Sequence, residues 1–123
     1  MQQYQKLLEV LDKLLGEDGC AWDKAQTHES LRPNLIEESN EVIEAIDSGD
    51  MDALKDELGD VLLQVVFHSK LAEKSGHFTF DDVCAAITNK LIRRHTHIFG
   101  DDKASTPEEV AKLWAKNKLK EKK

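Results

Sequence analysis

The stretch LIEESNEVIEAIDSGDMDALKDELGDVLLQV, residues 35–65, decides the fold. Apolar side chains recur at helical spacing on both sides of Ser48-Gly49-Asp50, which predicts two amphipathic helices joined by a tight turn. The two halves match at an offset of 19 residues, and the matched pairs are Leu35 with Leu54, Glu38 with Glu57, Glu41 with Asp60, Val42 with Val61, Ile43 with Leu62, and Ile46 with Val65. This repeat is too short for a solenoid, so it predicts one pair of similar helices.

Each of these two helices carries a pair of carboxylates, Glu38 with Glu41 and Glu57 with Asp60. Residues three apart on a helix are neighbours, with about 5–6 Å between their Cβ atoms. Both pairs flank the apolar stripe in the same way, so packing the helices together would bring four carboxylates to one place. Such a cluster is strongly repulsive unless a cation lies within it. We therefore predict a site for a hard divalent metal, Mg²⁺ or Mn²⁺, and with it phosphate chemistry.

The ordinary alternative for these acids is a solvated helix face. Several like charges stand at spacings of three and four on the first helix, and they are Glu37, Glu38, Glu41 and Glu44. Each such contact destabilises a helix by roughly 0.2–0.5 kcal/mol, and no Lys or Arg lies between residues 33 and 54 to offset it. A di-iron bundle would need Glu-x-x-His on two helices, and the sequence contains no Glu-x-x-His. A magnesium-type site is the better interpretation.

The histidines and cysteines give weaker signals. His68 is the only histidine of its predicted helix, which is more typical of packing than of metal binding. His95 and His97, two residues apart near a helix end, form only a weak zinc pattern. Cys20 and Cys84 have no metal or redox spacing, so we expect reduced thiols.

Composition bounds the class of protein. A chain of 123 residues with 40% hydrophobic residues and two prolines is typical of one helical domain, so we expect a single domain over 1–123. The net charge of −7 argues against nucleic-acid backbone binding. The first residues predict an amphipathic helix rather than a signal peptide, and no apolar stretch approaches the ~20 residues that span a membrane. We therefore expect a cytoplasmic protein with no membrane partner.

Capping and turn residues predict five helices. Their expected extents are 2–15, about 30–47, 51–75, about 79–94, and from 106 to a frayed tail at about 119–123. The expected N-caps are Ser30, followed by Pro33 in the first turn, then Asp50, Thr79, and Thr106 with Pro107 and Glu109 behind it. Residues 16–30 have no period and predict a functional loop. The leucine-rich faces of so small a chain suggest apolar surface left over for self-association.

A basic run and two tryptophans are candidate substrate-binding residues. Lys90, Arg93 and Arg94 lie at the end of the fourth predicted helix. Arg can hold phosphate oxygens with two hydrogen bonds, and Lys acts as a point charge. Cations that merely complement the helix dipole are the alternative. Trp22 in the loop and Trp114 in the last helix would stack on a nucleobase or pack in the core.

Together these motifs resemble the MazG family of nucleoside triphosphate pyrophosphohydrolases. The matching stretches, which extend over about residues 18–118, are GCAWDKAQTHESLRPNLIEESNEVIEAI, DELGDVLLQVVFHSKLAE, KLIRRHTHIFGD and WAKNK. The combination of Glu-Glu-x-x-Glu and Glu-x-x-Asp with Lys-x-x-Arg-Arg-His downstream is specific. Two positions depart from the family pattern, since Ala21 and Thr96 stand where proline is common. Both are loop changes that leave the charges intact.

The resemblance implies an all-α fold with a four-helix core, assembled as a homodimer or homotetramer. It implies Mg²⁺, with Mn²⁺ as a substitute, and hydrolysis of (d)NTPs to the monophosphate and pyrophosphate in nucleotide-pool cleansing or control. The implied metal ligands are Glu38, Glu41, Glu57 and Asp60, and the implied substrate-binding residues are Lys90, Arg93, Arg94, Trp114, Trp22 and Lys118. Either Glu37 or Glu38 would activate the water. A non-catalytic nucleotide sensor or partner-binding bundle is the alternative, although such a degenerate site should have lost an acid or the basic run.

Overall fold

The computed structural model describes residues 2–121, which form helices and turns with no strand. The helices are α1 (Gln2–Leu14), α2 (Ala21–Lys24), α3 (Arg32–Ser48), α4 (Met51–Lys74), α5 (Phe80–Arg94), α6 (Thr96–Phe99) and α7 (Pro107–Glu121). The predicted all-α fold is confirmed. Among the described helices, none is both long and apolar enough to cross a membrane.

Contacts within the chain divide it into two compact units, Met1–Phe80 and Asp81–Lys123. The first unit contains α1 to α4 and the first residue of α5, and the second contains the rest of α5 with α6 and α7. The sequence-based expectation of a single domain over 1–123 stays a prediction.

The turn between α3 and α4 forms as predicted. Gly49 closes α3 in the left-handed conformation, with φ of 72°, and donates its N–H to the carbonyl of Ile46. Glycine adopts this conformation without the cost that a Cβ atom imposes. The carboxylate of Asp50 then caps α4 by accepting hydrogen bonds from the N–H groups of Asp52 and Ala53, at 3.0 and 3.2 Å. Two helices joined by so short a connection run antiparallel and pack side by side.

The core of the first unit holds α4 in place. Helix α4 packs against both α3 and α1. The buried apolar side chains are Leu11, Leu15, Leu31, Ala45, Val66, Phe67, Ala72 and Phe80. Two polar contacts connect the C-terminal part of α4 to the end of α1. Lys70 pairs with Asp12 at 2.7 Å, and Lys74 donates to the carbonyl of Leu15, the residue after α1. Helix α4 is thus fixed on two sides, which makes it a rigid support for its acidic side chains.

The start of α3 corrects one prediction. Ser30 does not cap α3, because the N-cap is Leu31 and no side chain caps the helix. The Ser30 hydroxyl instead donates to Gln26 Oε1 and accepts from the N–H of Thr27, both at 2.8 Å. A local turn therefore competes successfully for the hydroxyl. The predicted loop over 16–30 is also not wholly irregular, since it contains α2.

The second unit has a well-capped last helix. The N–H of Glu109 donates to Thr106 Oγ1 at 3.2 Å, and the Thr106 hydroxyl donates to Glu109 Oε1 at 3.1 Å. This hydrogen bond from Thr106 is the main cause that holds the pKa of Glu109 below its ordinary value. Helix α7 continues to Glu121, so residues 119–121 are helical where the sequence predicted fraying. The last two residues of the predicted tail, 122–123, lie outside the described residues.

Candidate active site

Four carboxylates converge on the α3–α4 hairpin. In an antiparallel hairpin, residues equally far from the turn lie side by side. Glu41 and Glu57 each lie eight residues from Gly49, and Glu38 and Asp60 each lie eleven residues from it. One oxygen from each of the four carboxylates lies within 4.8 Å of the other three. We call these four residues the acidic quartet. The convergence that the helical pattern predicted is therefore present.

The four carboxylates of the acidic quartet repel one another, and the pKa values of two of them are raised. Desolvation is the main cause that raises the pKa of Glu38, and the charges of Glu41, Asp60 and Glu37 raise it further. A hydrogen bond with Glu41, followed by desolvation and the neighbouring charges, raises the pKa of Glu57 to about 7. Close carboxylates share a proton when nothing else neutralises them. The quartet therefore favours a bound positive charge, which a proton or a metal ion can supply.

Two oxygens of the quartet are buried without a partner. Glu38 Oε2 and Glu57 Oε2 make no hydrogen bond with any part of the chain that the structure describes. A buried carboxylate oxygen without a partner costs free energy. A cation held by these carboxylates would offset that cost. The donor set contains only carboxylate oxygens, which suits Mg²⁺ or Mn²⁺ rather than zinc. The residues present thus fit a hard divalent metal.

The quartet is accessible from solvent. A depression of about 400 Å³ beside it is lined by Glu41, Glu44, Ala45, Ala53 and Glu57. Asp60 is exposed, whereas the other three acids are half-buried. Glu37 is exposed and lies outside the quartet, yet it is close enough for its charge to raise the pKa of Glu38. Glu37 and Glu44 are therefore two further acids beside the quartet.

His68 has a partner that its helix pattern did not reveal. Its Nδ1 atom lies 2.7 Å from Nδ1 of His28, and the two rings stack with an angle of 8° between their planes. Desolvation, and then the charge of His28, lower the pKa of His68. The pair attaches the segment after α2 to α4. Within residues 2–121, the quartet is the only group of three or more acids, histidines or cysteines arranged closely enough for a metal.

The two arginines of the basic run, in the second unit, bind one carboxylate, that of Glu121. Arg94 donates from Nε to Glu121 Oε2 at 3.1 Å and from Nη2 to Glu121 Oε1 at 3.4 Å. Arg93 Nη2 donates to the same Oε1 at 3.2 Å. The two guanidinium groups lower the pKa of Glu121, chiefly through the hydrogen bonds from Arg94. Two adjacent arginines thus already form an anion-binding fork. Lys90, one turn earlier on α5, is half-buried.

Trp114 packs against the guanidinium group of Arg94. The Arg94 guanidinium lies over its ring at 5.2 Å from the centroid, and the ring of His95 meets it edge-on at 5.0 Å. Trp114 also lines a depression of about 750 Å³ together with Ile98, Pro107, Val110 and other residues of the second unit. Within the first unit, Trp22 is 58% exposed on α2. Lys118 is exposed on α7.

The model of the MazG nucleotide pyrophosphohydrolase domain family matches residues 26–99. The chain belongs to the MazG family. The matched range contains the acidic quartet and the run from Lys90 to Arg94. The resemblance that the sequence motifs indicated is confirmed.

Two curated relatives of this MazG chain are about twice its length. It is 50% identical over 119 residues to the nucleoside triphosphate pyrophosphohydrolase/pyrophosphatase MazG of Thermotoga maritima, covering 97% of this chain and 45% of that protein. It is 45% identical over 122 residues to the nucleoside triphosphate pyrophosphohydrolase of Escherichia coli K12, covering 98% and 46%. The chain thus spans less than half the length of these relatives. The crystal structure of a mazG-related protein from Thermotoga maritima superposes with a TM-score of 0.76 at 27% identity, covering 94% of this chain and 98% of that one.

The sequence motifs of this MazG chain did not identify Asn117 and Glu121, which contact the Arg93–Arg94 segment. Asn117 is 5% exposed and donates from Nδ2 to the carbonyl of Arg94 at 3.2 Å and to Thr96 Oγ1 at 2.9 Å. Glu121 falls in the tail for which the sequence predicts fraying, and it is helical in the structure. The available signal was their spacing, because Trp114, Asn117 and Glu121 follow one another at three and four residues and share one face of α7.

Proposed function

We propose that this chain hydrolyses nucleoside and deoxynucleoside triphosphates to the monophosphate and pyrophosphate, with Mg²⁺ as its cofactor and Mn²⁺ as a substitute. The observation that carries the proposal is the acidic quartet with its two buried, unpartnered oxygens. Membership of the MazG family supports the reaction class, and the two named relatives carry the name nucleoside triphosphate pyrophosphohydrolase. Because this chain spans less than half of each relative, its own activity is our inference.

The proposed metal ligands are Glu38, Glu41, Glu57 and Asp60. When bound, Mg²⁺ would neutralise charge on the phosphate oxygens and on the pyrophosphate leaving group. The role of the hairpin is to hold the four carboxylates together before substrate arrives. Since α4 packs on α1 and α3, little reorganisation is needed at the moment of reaction.

We assign the activation of the attacking water to Glu37. A carboxylate committed to a metal has less capacity to accept a proton, which disfavours Glu38 for this role. Glu37 lies outside the quartet, is exposed, and interacts electrostatically with Glu38. It is therefore suited to accept the proton of a water that approaches the α-phosphorus.

The proposed phosphate contacts are Lys90, Arg93 and Arg94. Two guanidinium groups already converge on one anionic group, which is the arrangement that a phosphate requires. The Trp114 ring contacts the guanidinium group of Arg94, and the Asn117 side chain donates to the Arg94 backbone carbonyl. The remaining proposed substrate-binding residues are Trp114, Trp22 and Lys118, with the tryptophans as candidates for base stacking. Arg94 covers part of the Trp114 ring, so a base would stack on what remains.

We further propose a homodimer or homotetramer. Large apolar side chains are exposed on both helices of the hairpin, and they are Leu35, Ile36, Ile43, Ile46, Met51, Leu58, Leu62, Leu63 and Val65. Leu58, Leu62 and Val65 follow at intervals of four and three residues, so they form one stripe. A contiguous apolar surface of this kind marks an interface, and a second copy of the hairpin is its complementary partner.

Replacing Leu62 by Lys should dissociate the assembly, because a charge would enter the apolar stripe. Light scattering should give a multimeric mass for the unmodified protein and a monomeric mass for Leu62→Lys. Val10→Lys is the matched control, since Val10 on α1 is exposed to a similar extent, 47% against 43%. A monomeric mass for the unmodified protein, with full activity at nanomolar concentration, would contradict the proposal.

The cellular role we propose is cleansing or control of the nucleotide pool. The cytoplasmic location and the absence of nucleic-acid partners stay predictions. A non-catalytic sensor of the same fold is the competing function. Both are tested by pyrophosphate release from a panel of nucleotides with and without Mg²⁺. Our proposal requires metal-dependent release of pyrophosphate from at least one triphosphate, whereas a sensor would bind nucleotide without turnover.

A further inference from the structure

The Arg93–Arg94 fork is occupied by a carboxylate of the chain itself. Glu121 receives three hydrogen bonds from the two guanidinium groups, at 3.1, 3.2 and 3.4 Å. A carboxylate and a phosphate present similar paired oxygens to arginine, so they compete for the same donors. The arginines assigned to phosphate binding therefore already hold an anion.

We propose that Glu121 is an internal competitor that sets the affinity for substrate: its carboxylate occupies the two guanidinium groups, and the triphosphate must displace it. This inference rests on the proposed phosphate role of Arg93 and Arg94. The fraction of molecules in which the fork is open limits the apparent affinity of any anion that uses it. Glu121 thus acts as a specificity-determining residue, because it lowers the affinity only of ligands that bind Arg93 and Arg94 and leaves the affinity of other ligands unchanged.

The geometry allows Glu121 to leave without unfolding its surroundings. The Glu121 side chain is 23% exposed, so it can swing into solvent. Helix α7 keeps a separate attachment, because Asn117 binds Arg94 and Thr96 through backbone and hydroxyl oxygens one turn earlier. The stack of Arg94 on Trp114 also does not involve Glu121. The fork would therefore stay in place after the carboxylate departs.

A purely structural role for Glu121 has a different signature. As a clamp between α7 and α5, it would contribute stability and leave anion binding unchanged. As a competitor, it weakens anion binding whatever it contributes to stability. Affinity for a simple polyphosphate therefore separates the two roles.

The test compares Glu121→Gln with the unmodified chain, using inorganic tripolyphosphate without metal as the probe in calorimetry at low ionic strength. The dissociation constant should fall about two- to fivefold in Glu121→Gln, as expected for loss of a partly exposed competing pair. Glu108→Gln, the same change on an exposed acid at the other end of α7, should leave it unchanged. In Mg²⁺-dependent turnover, the KM of Glu121→Gln should fall by a similar factor while kcat is retained.

Equal tripolyphosphate affinity in Glu121→Gln and the unmodified chain, or no binding by either, would overturn the inference. Helical content by circular dichroism checks each variant. If Glu121→Gln does not fold, Glu121→Asp keeps the charge, and its shorter reach should give a smaller fall in the same constant. If no variant hydrolyses any nucleotide, the proposed function fails, but tripolyphosphate binding still decides the role of Glu121.

Discussion

Glu57→Gln is expected to remove most Mg²⁺-dependent turnover, a loss of about a hundredfold or more, while the helical fold survives. Loss of residues that merely support a metal ligand costs 10- to 100-fold in activity or metal affinity, and a direct ligand should cost at least that. Glu57 supplies one of the two buried oxygens that lack a partner. Steady-state rates at increasing Mg²⁺ measure the effect.

The same substitution should maintain or raise the melting temperature without metal. A hydrogen bond with Glu41, desolvation and the charges of Glu41 and Asp60 raise the pKa of Glu57, so its ionised form is disfavoured, whereas glutamine carries no charge. Glu73→Gln is the matched control, since Glu73 is an exposed acid of α4 outside the quartet. It should change neither turnover nor the Mg²⁺ requirement. Turnover of Glu57→Gln near that of the unmodified chain at saturating Mg²⁺ would show that the ligand assignment is wrong.

Arg94→Ala should lower kcat/KM roughly tenfold to a few hundredfold. The change removes charge-assisted hydrogen bonds that contribute about 1.5–3 kcal/mol each, and about 1.4 kcal/mol corresponds to one factor of ten. The loss should be large for triphosphates and small for binding of the monophosphate product, since the contact is to the outer phosphates. Kinetics on a triphosphate and equilibrium binding of the monophosphate measure the two effects.

Arg94 also pairs with Glu121 and packs on Trp114, so Arg94→Ala will lower stability as well. Glu121→Gln supplies the control, because it breaks the same ion pair from the other side and keeps the guanidinium. If the ion pair itself were what catalysis needs, both substitutions would lower kcat/KM. Our account requires the loss in Arg94→Ala alone. Altered melting with intact kcat/KM in Arg94→Ala would leave its phosphate role without support.

The α3–α4 hairpin could be predicted because its determinants are local. Helical periodicity, the left-handed Gly49 and the Asp50 cap each act within a few residues. Convergence of the acidic quartet follows from the same turn, since an antiparallel hairpin aligns residues equally far from it. The convergence of the four carboxylates could therefore be predicted from their spacing alone.

Contacts distant in sequence could not be predicted in this way. His28 and His68 are 40 residues apart, and Arg93 and Glu121 are 28 apart, so no local pattern connects them. Ser30 failed as a cap because Gln26 and Thr27 offered its hydroxyl better partners than the start of α3. The sequence also predicted apolar stripes without showing which would stay exposed on the hairpin.

The most direct test of the central claim is where the oxygen of the attacking water ends. A deoxynucleoside triphosphate is hydrolysed with Mg²⁺ in water enriched in ¹⁸O, and the products are separated and weighed by mass spectrometry. Attack at the α-phosphorus predicts one ¹⁸O in the monophosphate and none in the pyrophosphate. Label in the pyrophosphate, or release of inorganic phosphate with a diphosphate product, would contradict the account.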